Sequence, residues 1–199
     1  MKTKFFLPLL FFFACAQVQA QDFATAGTTE VGGSVSFSSQ TQSDSYFYYS
    51  GDPVNTLIVS PYIGKMVWKG LELGFVPQLA YQDNGNTNRT YLNLFLDVTG
   101  NFNTQSKVYE FIGFLAGYNA ILRNTSSHAK EDGMGIGFEG GIKVDVNSRS
   151  LLVFQLQYQI QNYSYQAEII SGTTTITHTI NTFSAGLGFH IYIHKGSGT

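Results

Sequence analysis

The stretch Phe183-Ser184-Ala185-Gly186-Leu187-Gly188-Phe189-His190-Ile191-Tyr192-Ile193 decides the fold. Its odd positions are apolar and its even positions mostly small or polar, the period of two that arises when successive side chains leave a strand on opposite faces. One face wants hydrocarbon and the other does not. The same alternation sets Val31, Val35 and Phe37 against Glu30, Ser34 and Ser36, and Leu71, Leu73, Phe75 and Leu79 against Glu72, Gly74 and Gln78. It returns where Leu152, Phe154, Leu156, Tyr158 and Ile160 oppose Gln155, Gln157, Gln159 and Gln161. A row of glutamines on one face is hard to place in a dry core.

Eight such segments are found, at about 28–38, 56–67, 71–82, 90–99, 108–119, 133–145, 151–161 and 182–193. Each approaches the 9–11 residues with which a tilted strand crosses a bilayer. The connections alternate in length. Short ones lie at Trp68-Lys69-Gly70, around 100–107 and around 146–150, and mostly longer polar ones at 39–55, 83–89, 120–132 and 162–181. That asymmetry predicts an all-β, eight-stranded antiparallel up-and-down transmembrane β-barrel, with short turns on the periplasmic rim and loops outside.

The competing fold is a soluble secreted sandwich or lipocalin-like barrel, which also alternates. The character of the second face separates them. A soluble barrel would show charge there, whereas segment 6 carries Gly135, Gly137, Glu139, Gly141 and Lys143, small and polar residues suited to a narrow lumen. Trp68, Tyr81, Tyr91, Phe102, Tyr109 and Tyr118 stand near strand ends and are expected in the interfacial girdles.

Composition narrows the function. The chain has 199 residues, 43% hydrophobic, 15% aromatic and 12% charged, with a formal net charge of −2. It is too aromatic for disorder and offers no basic surface for nucleic acid. One cysteine forms no internal disulfide, and no Cys/His spacing fits a structural zinc, so neither a metal nor a cofactor is expected. At the N-terminus, Lys2 and Lys4 precede the apolar run Phe5 to Ala16, and Val18-Gln19-Ala20 supplies small residues for cleavage. Residues 1–20 read as a signal peptide and 21–199 as the barrel domain. A retained anchor and lipidation of Cys15 are the weaker alternatives.

With these residues quoted, the chain resembles a known group. SAGLGFHI at 184–191 looks like the C-terminal signal of outer-membrane proteins, with Ser184, Gly186, Phe189 and Ile191 at the matching positions. SPYIGKMVWKGLELGF at 60–75 is similar to the second hairpin of the outer-membrane β-barrel domain family, the small barrels related to OmpX and the OmpA membrane domain. The resemblance spans essentially the whole mature chain. It implies an outer-membrane address in a Gram-negative envelope, contact with lipid and lipopolysaccharide, and recognition by the barrel-assembly machinery.

Parity and strand direction place Glu30, Glu72, Asp97, Glu139, Lys143 and His190 in the lumen as a polar cluster, with Glu110 and Asp145 also directed inward. Glu30 and His190 become neighbours once the first and last strands meet. Loop 1 carries Tyr46, Phe47, Tyr48 and Tyr49, an aromatic cluster fit to anchor an extracellular partner or to sit in the outer girdle. Ser126, Ser127, His128, Glu131, Asp132 and His178 would make a Ser/His/acid set only if the fold gathered them, and no catalysis is expected. The run GMGIGFEGG at 133–141 has a strand's period and no following helix, so it is not a phosphate loop. Two functions stay open: a structural barrel with interacting loops, or a narrow path for small or apolar solutes.

Overall fold

The computed structural model describes residues 24–44, 54–83, 88–103, 106–124, 131–147, 149–169 and 172–193. Residues 1–20, expected as a signal peptide and including Cys15, the Tyr46, Phe47, Tyr48 and Tyr49 cluster, and Ser126, Ser127 and His128 lie outside these residues. Eight strands follow one another: β1 (Thr29–Asp44), β2 (Val54–Trp68), β3 (Leu71–Asp83), β4 (Asn88–Phe102), β5 (Val108–Asn124), β6 (Glu131–Asn147), β7 (Ser150–Ile169) and β8 (Gly172–Ile193). Each pairs antiparallel with its neighbour in sequence, and β1 pairs with β8 from Thr29↔Ile193 to Asp44↔His178, closing the barrel.

Side-chain parity sorts the wall. Val31, Val35 and Phe37 on β1, Leu73, Phe75 and Leu79 on β3, and Leu187, Phe189 and Ile191 on β8 all point outward and are exposed. The same holds for Leu96, Ile112, Ile136 and Leu156 on the intervening strands, so the apolar outer surface runs right round the barrel. A water-soluble monomer rarely exposes more than a few hundred Å² of continuous apolar surface, whereas a lipid-facing wall requires it.

The strands are longer than their alternation suggested, at 13 to 22 residues. The excess lies mainly at the long-loop end. β7 and β8 pair as far as Ile169↔Gly172, although β6 stops at Ser164 and β1 at His178. Loop 4 at 162–181, where the alternation beyond Thr173-Thr174-Thr175 through Ile176 and Ile180 predicts that strands 7 and 8 extend as a protruding hairpin, is largely such a two-stranded hairpin. At the opposite end the turns are tight. Gly70 takes φ +74°, open to glycine without steric cost, and its N–H donates to the carbonyl of Ala24, 3.0 Å away.

Two expectations need correcting. Tyr91 and Tyr109 are not girdle residues: they share parity with Asn93 and Phe111 and are buried inside. Glu110 does not face the lumen, because its neighbours Tyr109 and Phe111 do; its carboxylate stands on the outer face and accepts from Asn103 Nδ2 at 3.3 Å. Of the remaining aromatics, Trp68, Tyr81, Phe102 and Tyr118 are exposed on the outside.

The interior is filled in tiers. Ala24, Met66, Tyr109, Phe111, Leu151, Val153 and Tyr192 pack together at the short-turn end. Ile58, Ala80, Tyr91, Ile121, Tyr163 and Ile180 do so at the long-loop end. Val76, Phe95 and Leu115, with Tyr62 against them, form an apolar patch between. An eight-stranded barrel is just wide enough for its side chains to meet across the axis, which lets these clusters form.

Besides register shifts at Met66/Trp68, Thr90/Tyr91 and Asp145/Asn147, the described wall has a longer lapse in pairing. Pairing of β2 with β3 runs from Thr56↔Gln82 to Val59↔Leu79 and resumes only at Ile63↔Phe75. The Met66 N–H donates to Thr28 O at 2.8 Å, so even positions of β2 hydrogen-bond toward β1 and odd positions toward β3. At the centre of the lapse the odd position is Pro61, and the flanking register sets Pro77 opposite it. Neither has an N–H, so both cross-strand bonds of that pair are missing.

Candidate functional site in the barrel interior

Four strands that meet nowhere in sequence deliver the central cluster. Lys143 on β6 reaches across the lumen, its Nζ donating to Glu30 Oε1 and Oε2 of β1 at 3.0 and 2.8 Å and to Glu72 Oε2 of β3 at 3.1 Å. Glu30 Oε1 also bonds His190 Nδ1 of β8. Asn101 Nδ2 donates to Glu72 Oε2 at 3.4 Å. All these side chains are buried. Burying a charge is costly unless it is paired and hydrogen-bonded, and here one ammonium serves two carboxylates.

Tyr62 roofs this group. Its ring stacks on His190 with centroids 5.0 Å apart and an interplanar angle of 10°, and its hydroxyl donates to Asp97 Oδ2 at 3.5 Å. The Lys143 ammonium stands 5.9 Å from the Tyr62 centroid and 5.5 Å from that of Phe111, so the charge also meets aromatic faces. Room for the phenol comes from glycine: a Cβ on Gly74 would lie 2.8 Å from the Tyr62 hydroxyl oxygen. Asp97 accepts from Thr99 Oγ1 at 2.9 and 2.8 Å through its two oxygens.

Toward the long-loop end the charges give way to amides. Glu139 Oε2 accepts from Gln157 Nε2 at 3.1 Å. Gln157 and Gln78 are joined at 3.1 Å, Gln159 Nε2 donates to both at 2.7 and 2.9 Å, and Gln161 Nε2 donates to Gln159 at 2.6 Å. Tyr163 Oη donates to Gln161 at 3.1 Å, and its ring stacks on His178 at 5.5 Å. The glutamine face of β7 is thus the spine of a hydrogen-bonded column. Each amide both donates and accepts, so a row of them can satisfy itself without water.

The lumen residues expected from sequence, Glu30, Glu72, Asp97, Glu139, Lys143 and His190, all lie inside, and Asp145 follows the same parity near the short-turn rim. Glu30, Glu72, Lys143 and His190 are in direct contact, Asp97 joins through Tyr62, and Glu139 belongs to the amide column. Ser184 points inward while Phe189 and Ile191 point outward, with Gly186 on the parity of Ser184. Of the Ser/His/acid candidates, His178 Nε2 lies 3.5 Å from Glu131 Oε2, and Asp132 instead accepts from Tyr118 Oη at 2.7 Å on the outer surface. Among the described residues no group of three or more His, Cys, Asp or Glu could hold a metal ion. Sequence reasoning missed Tyr62, Asn93 and Tyr163. Carrying even parity through Pro61 would have found Tyr62 beside Ser60 and Gly64.

A cavity with room for about one or two water molecules lies beside the cluster, lined among others by Ser60, Tyr62, Glu139, Lys143 and His190. Ser60 Oγ is buried there without a protein hydrogen-bond partner. The cavity sits behind the Pro61/Pro77 lapse, because Ser60 and Tyr62 flank Pro61 on the lumen side.

Neither a protein-family model nor a curated protein sequence matches the chain. Solved structures do. The outer membrane protein OprG from Pseudomonas aeruginosa superposes with a TM-score of 0.59 at 14% identity, over 87% of this chain and 99% of that one. The chain has the fold of the small outer-membrane β-barrels. Neisserial surface protein A gives 0.60 at 12% identity over 83% and 98% of the two chains. The outer membrane protein AlkL, solved in lipid bilayers, gives 0.61 at 12% over 88% and 94%. Identities this low show a shared barrel and leave the contents of the lumen to each sequence.

Proposed function

We propose that this protein is a non-catalytic barrel of the outer membrane, delivered there by its signal peptide, that stabilises the membrane and presents its loops and the β7–β8 hairpin to the outside. The observation that carries this reading is the filled lumen. A charged knot and an amide column lie between two apolar clusters, and the cavity beside the knot has room for only about one or two water molecules. In this reading lipid and lipopolysaccharide surround the apolar wall, and the assembly machinery takes up the segment around Ser184, Gly186, Phe189 and Ile191. An extracellular partner meets the loops. Planar-bilayer conductance of the refolded chain is the test. Unitary conductance no greater than that of protein-free bilayers is expected; stepwise openings as large as those of an aqueous pore would reject the reading.

One observation favours the second reading, a narrow route for small or apolar solutes. The Pro61/Pro77 lapse thins the wall beside the internal cavity. Uptake of a small apolar dye into vesicles separates the two, since a purely structural barrel leaves the rate where empty vesicles have it.

A further inference from the structure

We propose that the short-turn rim is a docking collar for the headgroups of anionic phospholipids. Each of its three hairpin turns sets a basic residue near an exposed apolar one: Lys69 beside Trp68, Lys107 after Phe102, and Arg149 after Val146. Lys65 adds a fourth cation on the outer face of β2, in register with Leu73. Because consecutive hairpins follow one another round a closed barrel, these cations are spread along the rim and do not form one patch. Spacing of that kind suits several separate headgroups rather than a single polyanion.

The chemistry is specific in sign and depth. Trp68 is 72% exposed, and its amphipathic indole settles at the headgroup level of a bilayer. A lysine or arginine at the same depth meets phosphodiesters, which carry the only formal charge of phosphatidylglycerol, whereas phosphatidylcholine offsets its phosphate with a choline. Two acids stand nearby. Glu110 keeps its charge on the outer face, accepting from the neutral Asn103 amide, and Asp145 lies close enough to Lys107 to interact with it, so the four cations stand in excess over two acids. Counted over the described strand ends alone, the opposite rim differs in sign: Asp44, Asp83, Glu131, Asp132 and Glu168 against Arg89 and Arg123. Attraction to anionic headgroups is therefore one-sided. Assigning them to the periplasmic leaflet rests on the orientation proposed above, but the affinity itself does not.

The experiment is native mass spectrometry of the full mature chain, refolded in detergent and titrated with phosphatidylglycerol or phosphatidylcholine of matched acyl chains. The expected result is about tenfold preferential retention of phosphatidylglycerol, given the attraction of each basic residue near a charged surface. The variant K65Q/K69Q/K107Q/R149Q should lose that preference, and R89Q/R123Q should keep it. Equal retention of the two lipids by the unmodified chain overturns the proposal, as does loss of preference in R89Q/R123Q alone. Should the fourfold variant not refold, the unmodified chain decides through salt. A headgroup interaction is screened between about 0.05 and 0.5 M, and a preference indifferent to salt rejects it. A detergent micelle has no inside or outside, so an error in orientation leaves these readouts unchanged and appears only in protease accessibility.

Discussion

Lys143 bears more of the interior than any other side chain, since Glu30 and Glu72 both take their cation from it. In Lys143→Met, Glu72 is left buried with only the neutral Asn101 amide and Glu30 with only His190, and breaking such a group by one partner costs about 3–5 kcal/mol. The urea midpoint of the barrel refolded in vesicles should fall accordingly. In E30Q/E72Q/K143M all three charges are gone, and most of that loss should be recovered; equal midpoints for K143M and the triple variant would refute the pairing. Gly74→Val probes the roof. Its side chain takes the space of the Tyr62 hydroxyl, so Tyr62 should leave His190, which a shift in the His190 ring proton resonances would report. At this scale parity made the inward side chains legible, because Glu30, Glu72, Lys143 and His190 alternate with apolar neighbours. The Glu30–His190 contact was legible too, since closure sets the first strand beside the last, but the pairing of Lys143 with Glu30 and Glu72 was not. Glu30 and Lys143 are 113 residues apart, and only the stagger of the closed wall brings them to one level.

Among the elements, β2 and β3 are set apart by the facing prolines. P61V/P77V returns both N–H groups to the ladder and should raise stability by about 1–3 kcal/mol, a net gain for two hydrogen bonds. Amide exchange around residues 60–62 should slow by a matching factor; unchanged exchange in the double variant would mean that the prolines are not what interrupts the pairing. Each proline was visible in the sequence, yet their opposition depends on the register of two strands and could not be read from either alone. The β7–β8 hairpin was half legible. Its threonines and isoleucines alternate, but a polar stretch of that kind has the composition of a loop, and only the continuous pairing through Ile169↔Gly172 distinguishes them. Tyr91 and Tyr109 misled because aromatic residues near strand ends suit a girdle and a packed lumen equally well.

For the whole molecule, length asymmetry among connections predicts an orientation. Protease added to intact cells should cut within 39–55, 83–89, 120–132 and 162–181 and spare the turns near 69, 103 and 148; the opposite pattern would invert the barrel in the membrane. The architecture was legible at this scale, since eight alternating segments with unequal connections leave little else to build. The contents of the lumen were legible only as polar, because apolar side chains such as Phe95 and Leu115 share a face with Asp97 and Gly113 and become a packed tier only when the far wall arrives. The same dependence on the far wall gives the Glu30–His190 contact a meaning in time. It joins side chains 160 residues apart on the first and last strands, so it cannot exist in any open sheet, however complete its hairpins. Until the seam shuts, Glu30 lacks His190 and also the Lys143 ammonium that the closed wall brings to its level from across the lumen. Ring closure is therefore rewarded all at once and late, which makes the cluster a latch that distinguishes a finished cylinder from a nearly finished one and slows its reopening.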